Sequence, residues 1–398
     1  MMPGYSKNEW TKYISMDMGE IEICDVTLRD GEQTPGVAFT TDEKIDIARM
    51  LDEIGLEIIE AGFPATSQGE KESVKAIAGL GLDAKICCLS RAVKGDIDAV
   101  IDCDADMIGL FIGTSDLHRI YKHRKTQDEI ITCAVEALEY AKKHGLIVRF
   151  SPEDCTRTDL DFLKRFYRAG EEAGADYVSV VDTIGIMTPA TMKFLVGEVR
   201  KTVKLPICVH CHDDLGMAVA NTLAAAEAGA KQLHTTTNGI GERAGNAALE
   251  EVLMNLRIQY GIDRYDTTKI TELSRMVQKY SGICTAKNKA VIGDHAFAHE
   301  SGIHIAALLE NDRTYEVFSP EMVGGKREFI LGKHSGGKAL CYMARQLGYT
   351  LSEAETNQVL CEIKRLSEMK RSIRREELRE LIDCTLQKSN TAGVLSSD

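Results

Sequence analysis

The stretch ICVHCHDDLG, residues 207 to 216, can be read as three kinds of chemistry. Cys208, Cys211 and His212 spell the C-x-x-C-H pattern of covalent haem attachment, and the two cysteines alone spell a redox or zinc pair. His210-x-His212 places two imidazoles two residues apart. On an extended strand, residues two apart share a face, so His210 and His212 point together while Cys208 and Cys211 point oppositely. A strand therefore cannot readily close the cysteine pair, but it can present two imidazoles side by side. Two imidazoles and a carboxylate make a facial divalent-metal site with open positions. Asp30 could supply the carboxylate and Asn246 a neutral oxygen. A lone histidine more often satisfies a core hydrogen bond, but a His-x-His among several polar strand ends favours the metal.

Those strand ends belong to a repeating pattern. From residue 21 to about 261, short apolar or β-branched runs alternate with amphipathic segments whose apolar residues fall at i, i+3, i+4 and i+7. The runs are IEICDVTL, LEIIEAG, AKICCLS, MIGLFIG, IVRFSPED, YVSVVDT, ICVHCHD and QLHTTTNG. Eight βα units predict an α/β fold of the (β/α)8 TIM-barrel type, with a doubly wound open sheet as the alternative. The barrel is expected over residues 20–262 and a mainly helical C-terminal lid or accessory region over 263–390. In a barrel, catalytic groups sit at the C-terminal strand ends. Here these read TLRDGEQ, EAGFP, RFSPED, DTIG, HCHDD and NGIGERAGN, all polar. GIGERAG matches a dinucleotide loop, but no βαβ half follows it, so it reads as a tight turn.

Composition narrows the function classes. The 398-residue chain carries a formal net charge of −13, which excludes a phosphate-backbone binder, and no nucleic-acid partner is expected. No apolar run has signal-peptide or membrane-span length, so a cytoplasmic protein with no membrane partner is expected. The twelve cysteines are scattered through apolar segments as small hydrophobes, not as a disulfide framework. Covalent haem needs export, which counts against that use of Cys208 and Cys211.

DVTLRDGEQTPG, HCHDDLGMAVANTLAAAEAGA, NGIGERAGNAALEE and HAFAHESGIH together resemble the acyl-CoA condensing enzymes of the D-R-E TIM-barrel metallolyases. These include the 2-isopropylmalate, citramalate and homocitrate synthases. The resemblance implies a Claisen condensation of acetyl-CoA with a 2-oxo acid chelated to a divalent metal (Zn, Mn, Mg, Co or Fe), followed by thioester hydrolysis. It implies metal ligation by Asp30, His210, His212 and Asn246. Arg29, Glu153, His304 and Tyr315 would be catalytic, and Arg29, Gln33, Leu89, Arg149, Ser151 and Thr183 would bind substrate. It also implies a homodimer in which the lid reaches over the neighbouring barrel.

Within the resemblance, Arg149 two residues before Ser151 matches the homocitrate pattern, in which the arginine meets the far carboxylate of 2-oxoglutarate. An isopropyl tail would leave Arg149 an uncompensated charge. Leu89 looks instead like the pockets for 2-oxoisovalerate or pyruvate. Two other classes compete: a carbon–carbon lyase of the 3-hydroxy-3-methylglutaryl-CoA type, against which HESGIH and TYE argue, and a catalytically silent binding protein. An Arg29–Glu153 ion pair is the structural alternative for those two residues.

Overall fold

The computed structural model describes residues 8–13, 18–369, 373 and 375–395, in two compact units. The first spans 8–285. Its eight strands are β1 (Glu22–Asp25), β2 (Ile58–Gly62), β3 (Lys85–Arg91), β4 (Met107–Gly113), β5 (Ile147–Glu153), β6 (Tyr177–Asp182), β7 (Ile207–Cys211) and β8 (Gln232–Thr235). All are parallel and close in sequence order, with β8 pairing back onto β1 through Cys24 opposite His234. The eight expected runs are therefore the eight strands of a closed barrel. Strands buried on both faces explain why the runs are near-continuously apolar.

Helices α1 (Thr41–Ile54), α2 (Gln68–Ala78), α3 (Lys94–Ile101), α4 (Gln127–Lys143), α5 (Leu160–Glu172), α6 (Pro189–Thr202), α7 (Ala218–Glu227) and α8 (Leu249–Tyr260) follow the strands in turn. Their starts are written locally. Thr40 with Glu43 and Thr126 with Glu129 form reciprocal capping boxes that satisfy the first free N–H groups of α1 and α4. A ninth helix, α9 (Ile270–Ser281), buries Ile270, Leu273 and Val277, and Tyr280 bonds Asp46 of α1 at 2.9 Å. The first unit thus ends after Thr285, beyond the boundary expected at 262, because α9 spends its apolar face on the barrel unit.

The second unit, from Ala286, carries a two-stranded ladder of β9 (Ala298–His299) with β10 (Glu328–Phe329). Its helices are α10 (Gly302–Leu308), α11 (Gly337–Gln346), α12 (Glu353–Glu368) and α13 (Arg375–Leu395). It has its own core, including Ile305, Leu340, Val359, Ile363 and Ile382. No helix among the described residues is long and apolar enough to cross a membrane.

One acid in the barrel wall is sensitive to pH. Asp25 is fully buried; burial raises its carboxyl to about 7, with Glu250 and Glu60 adding to the rise and hydrogen bonds from Thr27 opposing it. The folded chain holds this proton where the unfolded chain, with an ordinary carboxyl near pKa ~3.9, has released it. Stability is therefore highest below the unfolded value and falls as pH climbs through about 7. Asp25→Asn should flatten that fall: relative to the parent, its urea midpoint should rise between about pH 5 and pH 8. Parallel midpoint curves for the two proteins would show that Asp25 ionises without cost.

Candidate active site

The C-terminal mouth of the barrel opens into a cavity of about 250 Å3. Its wall includes Arg29, Asp30, Gln33, Leu89, Arg149, Ser151, Glu153, Thr183, His210 and His212, so ten of the residues singled out from sequence converge there. Asn246 stands behind them, donating from Nδ2 to Asp30 Oδ1 at 2.8 Å. His304 and Tyr315 belong to the second unit, where their rings stack with centroids 3.9 Å apart.

Asp30, His210 and His212 are buried, and among the described residues they form a cluster whose ligand atoms all lie within 4.8 Å of one another. The two Nε2 atoms face each other at 3.2 Å, and Asp30 Oδ2 lies 3.7 Å from His210 Nε2 and 4.0 Å from His212 Nε2. At most one ring proton fits between the two nitrogens; a cation would engage both lone pairs. Burial, then the neighbouring His212, pushes His210 down to about 3, and burial likewise lowers His212. Burial works to raise Asp30, but Arg29 and the two histidines outweigh it and hold the carboxyl below its usual range. Two neutral imidazoles and an ionised carboxylate are ligands that need no deprotonation. Asn246 Oδ1 is buried without a hydrogen-bond partner, a further oxygen with nothing to accept. The donor set fits a divalent ion.

The turn carrying Asn246 depends on glycine. Gly245 has φ +88°, and a Cβ there would lie 1.8 Å from the Gly239 carbonyl oxygen. This close return brings Asn246 N–H to Gly239 O at 3.0 Å and pairs Asn246 with His212 as an isolated bridge. GIGERAG is thus a turn, as its position after the last strand implied. Cys208 and Cys211 lie on opposite faces of β7: Cys208 feels the charge of Arg149 inside the barrel, and Cys211 is turned toward Thr222 of α7.

Beneath the cavity sits Glu60, which sequence reasoning left without a role. Its carboxylate takes Arg29 on one oxygen and Arg149 on the other, and it is fully buried. Arg149 also lies 3.1 Å from His234 Nε2. A Cβ at Gly109 on β4 would come within 2.4 Å of the Arg149 guanidinium, so the missing side chain makes its room. Burial opposes the charge on Arg149, but Glu60 more than restores it. The premise that an apolar substrate tail would leave Arg149 uncompensated is therefore corrected, because Glu60 supplies the counter-charge from within the protein. An acid inside the apolar run LEIIEAG was the available signal. The expected alternative of an Arg29–Glu153 pair is not what forms. Arg29 holds Asp30 and Glu60, while Glu153 holds Lys122 Nζ at 2.6 and 2.9 Å and His118 Nδ1 at 3.4 Å.

The rest of the wall combines a polar side, Ser151 Oγ 2.9 Å from Ser179 Oγ, with an apolar one, Phe63, Leu89, Phe111 and Val181. Thr183 Oγ1 accepts the Asp154 N–H at 2.8 Å, leaving its hydroxyl proton free to meet an anion.

A family model described as HMGL-like matches residues 20–277, and one described as homocitrate synthase post-HMGL domain-like matches 291–371. The protein named homocitrate synthase AksA from Methanosarcina acetivorans is 58% identical over 380 residues, 95% of this chain and 94% of its own. A 2-isopropylmalate synthase from Methanocaldococcus jannaschii is 50% identical over 368 residues, 91% of this chain and 71% of its own. The crystal structure of a Bacillus subtilis HMG-CoA lyase superposes with a TM-score of 0.60 at 22% identity, over 66% of this chain and 94% of that one, a likeness of fold. With both units matched in order along one chain, the protein belongs to the HMGL-like family.

Proposed function

We propose that the protein condenses acetyl-CoA with 2-oxoglutarate and that water then hydrolyses the resulting thioester, giving homocitrate and CoA. The observation that carries the reaction class is the Asp30, His210 and His212 cluster with the Arg29 guanidinium fixed against it. The full-length similarity to relatives named homocitrate synthase supports the acceptor.

A divalent ion held by Asp30, His210 and His212, with Asn246 Oδ1 as a further oxygen, would polarise the 2-oxo carbonyl and orient it. Arg29, locked by Glu60, places a permanent positive charge where the carbonyl oxygen becomes an alkoxide. The Thr183 hydroxyl and Gln33 hold the 1-carboxylate. Glu153, together with His304 and Tyr315, moves the proton that turns the thioester methyl into an enolate nucleophile. For the far carboxylate, Arg149 keeps a buried Nε–H without an acceptor, and the Ser151 hydroxyl pairs with Ser179. A homodimer whose lids close over neighbouring barrels completes the proposal, on the strength of the family resemblance. A cytoplasmic location fits these metabolite substrates.

A second reading is favoured by the apolar wall of Phe63, Leu89 and Phe111 and by the charge balance at Arg149: an acceptor with an uncharged tail, 2-oxoisovalerate or pyruvate.

CoA release from acetyl-CoA in the presence of divalent metal, measured in parallel with 2-oxoglutarate, 2-oxoisovalerate and pyruvate, separates the two. 2-Oxoglutarate should be preferred, and Ser151→Ala should lower that preference about tenfold, the scale of one lost hydrogen bond to a charged group. Preference for 2-oxoisovalerate or pyruvate would establish the second reading, and no turnover with any acceptor would remove both. Subunit sharing has its own test. Mixing Arg29→Ala protein with Tyr315→Phe protein under exchange conditions should regain activity that neither has alone; a mixture no better than its parts would confine each site to one chain.

A further inference from the structure

The sequence LHRIYKHRK, residues 117 to 125, carries four lysines and arginines and no acid in a chain whose net charge is −13, and nothing in the site above uses most of it. It forms a short π-helical turn, His118–His123, directly after β4. His123 Nε2 accepts the N–H of Gly113, the last residue of β4, at 3.1 Å, so the turn is pinned at the cavity mouth. Lys122 lies 5.7 Å from the ring centre of Phe111, which lines the cavity.

Most of these groups are already engaged. Arg119 binds Asp116 and the Lys125 carbonyl, at 2.8 and 2.9 Å, and Lys122 is tied to Glu153. Arg124 and Lys125 form no ion pair among the described residues. Elsewhere on the rim the cations are matched: Arg91 with Asp96, Arg157 with Asp154, Arg243 with Asp214. The turn also leaves Tyr121 78% exposed, a bare aromatic face close in sequence to Arg124 and Lys125.

The proposed thioester donor is a polyanion whose phosphates and adenine must lie outside a 250 Å3 cavity, since even drug-sized ligands fill roughly 300–1,000 Å3. An acidic protein repels such a molecule unless its entrance carries local positive charge. We propose that the turn after β4 binds the phosphorylated nucleotide end of the acyl-CoA donor, with Arg124 and Lys125 as phosphate contacts and Tyr121 as a stacking platform for the adenine. The proposal rests on the acyl-CoA reading and adds the place and chemistry of donor recognition to it.

Titrating free CoA, and separately pantetheine, into the full chain by calorimetry tests it without requiring turnover. Arg124→Asn with Lys125→Gln is the informative variant, because Arg124 sits at φ +54° and asparagine tolerates that conformation. CoA affinity should fall about tenfold in the variant, and the CoA-to-pantetheine affinity ratio should fall with it, as expected for loss of charge-assisted phosphate contacts. Tyr121→Ala should weaken CoA in the same direction. CoA binding that survives intact in the double variant overturns the proposal while leaving the acyl-CoA reading in place. A parent chain that binds no CoA removes both. A Tyr121→Ala variant that changes oligomeric state and not CoA affinity would assign the turn to a subunit contact and equally overturn it.

Discussion

A single buried carboxylate, Glu60, holds two guanidiniums in the middle of the barrel, and the site is arranged around that constraint. Removing one partner from a buried ion pair costs about 3–5 kcal/mol, because the other is left as an uncompensated charge. Neither arginine is therefore free to swing. Arg149 is fixed in the cavity wall in the space left by Gly109, and Arg29 is fixed at the C-terminal end, with its Nη1 on Asp30. A strand residue too deep to be a ligand thus sets the orientation of the group beside the candidate metal site.

The electrostatics above this clamp follow from it. Both arginines keep their charge, Asp30 and Glu60 keep theirs, and the imidazoles of His210, His212 and His234 are pushed toward the neutral form by burial and the nearby positive charge. The interior is close to balanced before any ligand arrives, and fixed dipoles and charges of this kind need no reorganisation during a reaction. The same balance means that the proposed specificity for an acceptor tail would rest on a few remaining donors and on the apolar rings, not on a spare cation.

Much of this was legible in the sequence because it is local or periodic. The βα rhythm gave eight strands, and period two along β7 placed both histidines on one face. Strand-end polarity gathered Asp30, Ser151, Glu153 and Thr183 at one mouth. What escaped was pairing across the barrel. Glu60 and Arg149 are 89 residues apart, and only closure of the barrel makes them neighbours. The packing of α9 on the first unit escaped for the same reason, since an amphipathic helix announces that it has an apolar face and not which surface covers it.

The most direct test is the turnover number of Glu60→Gln, measured as CoA release alongside divalent-metal affinity and the circular dichroism of the folded chain. If Glu60 aims Arg29 at the reacting carbonyl, turnover should fall by about 100-fold or more while metal affinity and fold are retained, the scale of losing one preorganised charge contact. Turnover within about threefold of the parent in a folded, metal-binding variant would contradict it, and Arg29 would then be held in place by Asp30 alone.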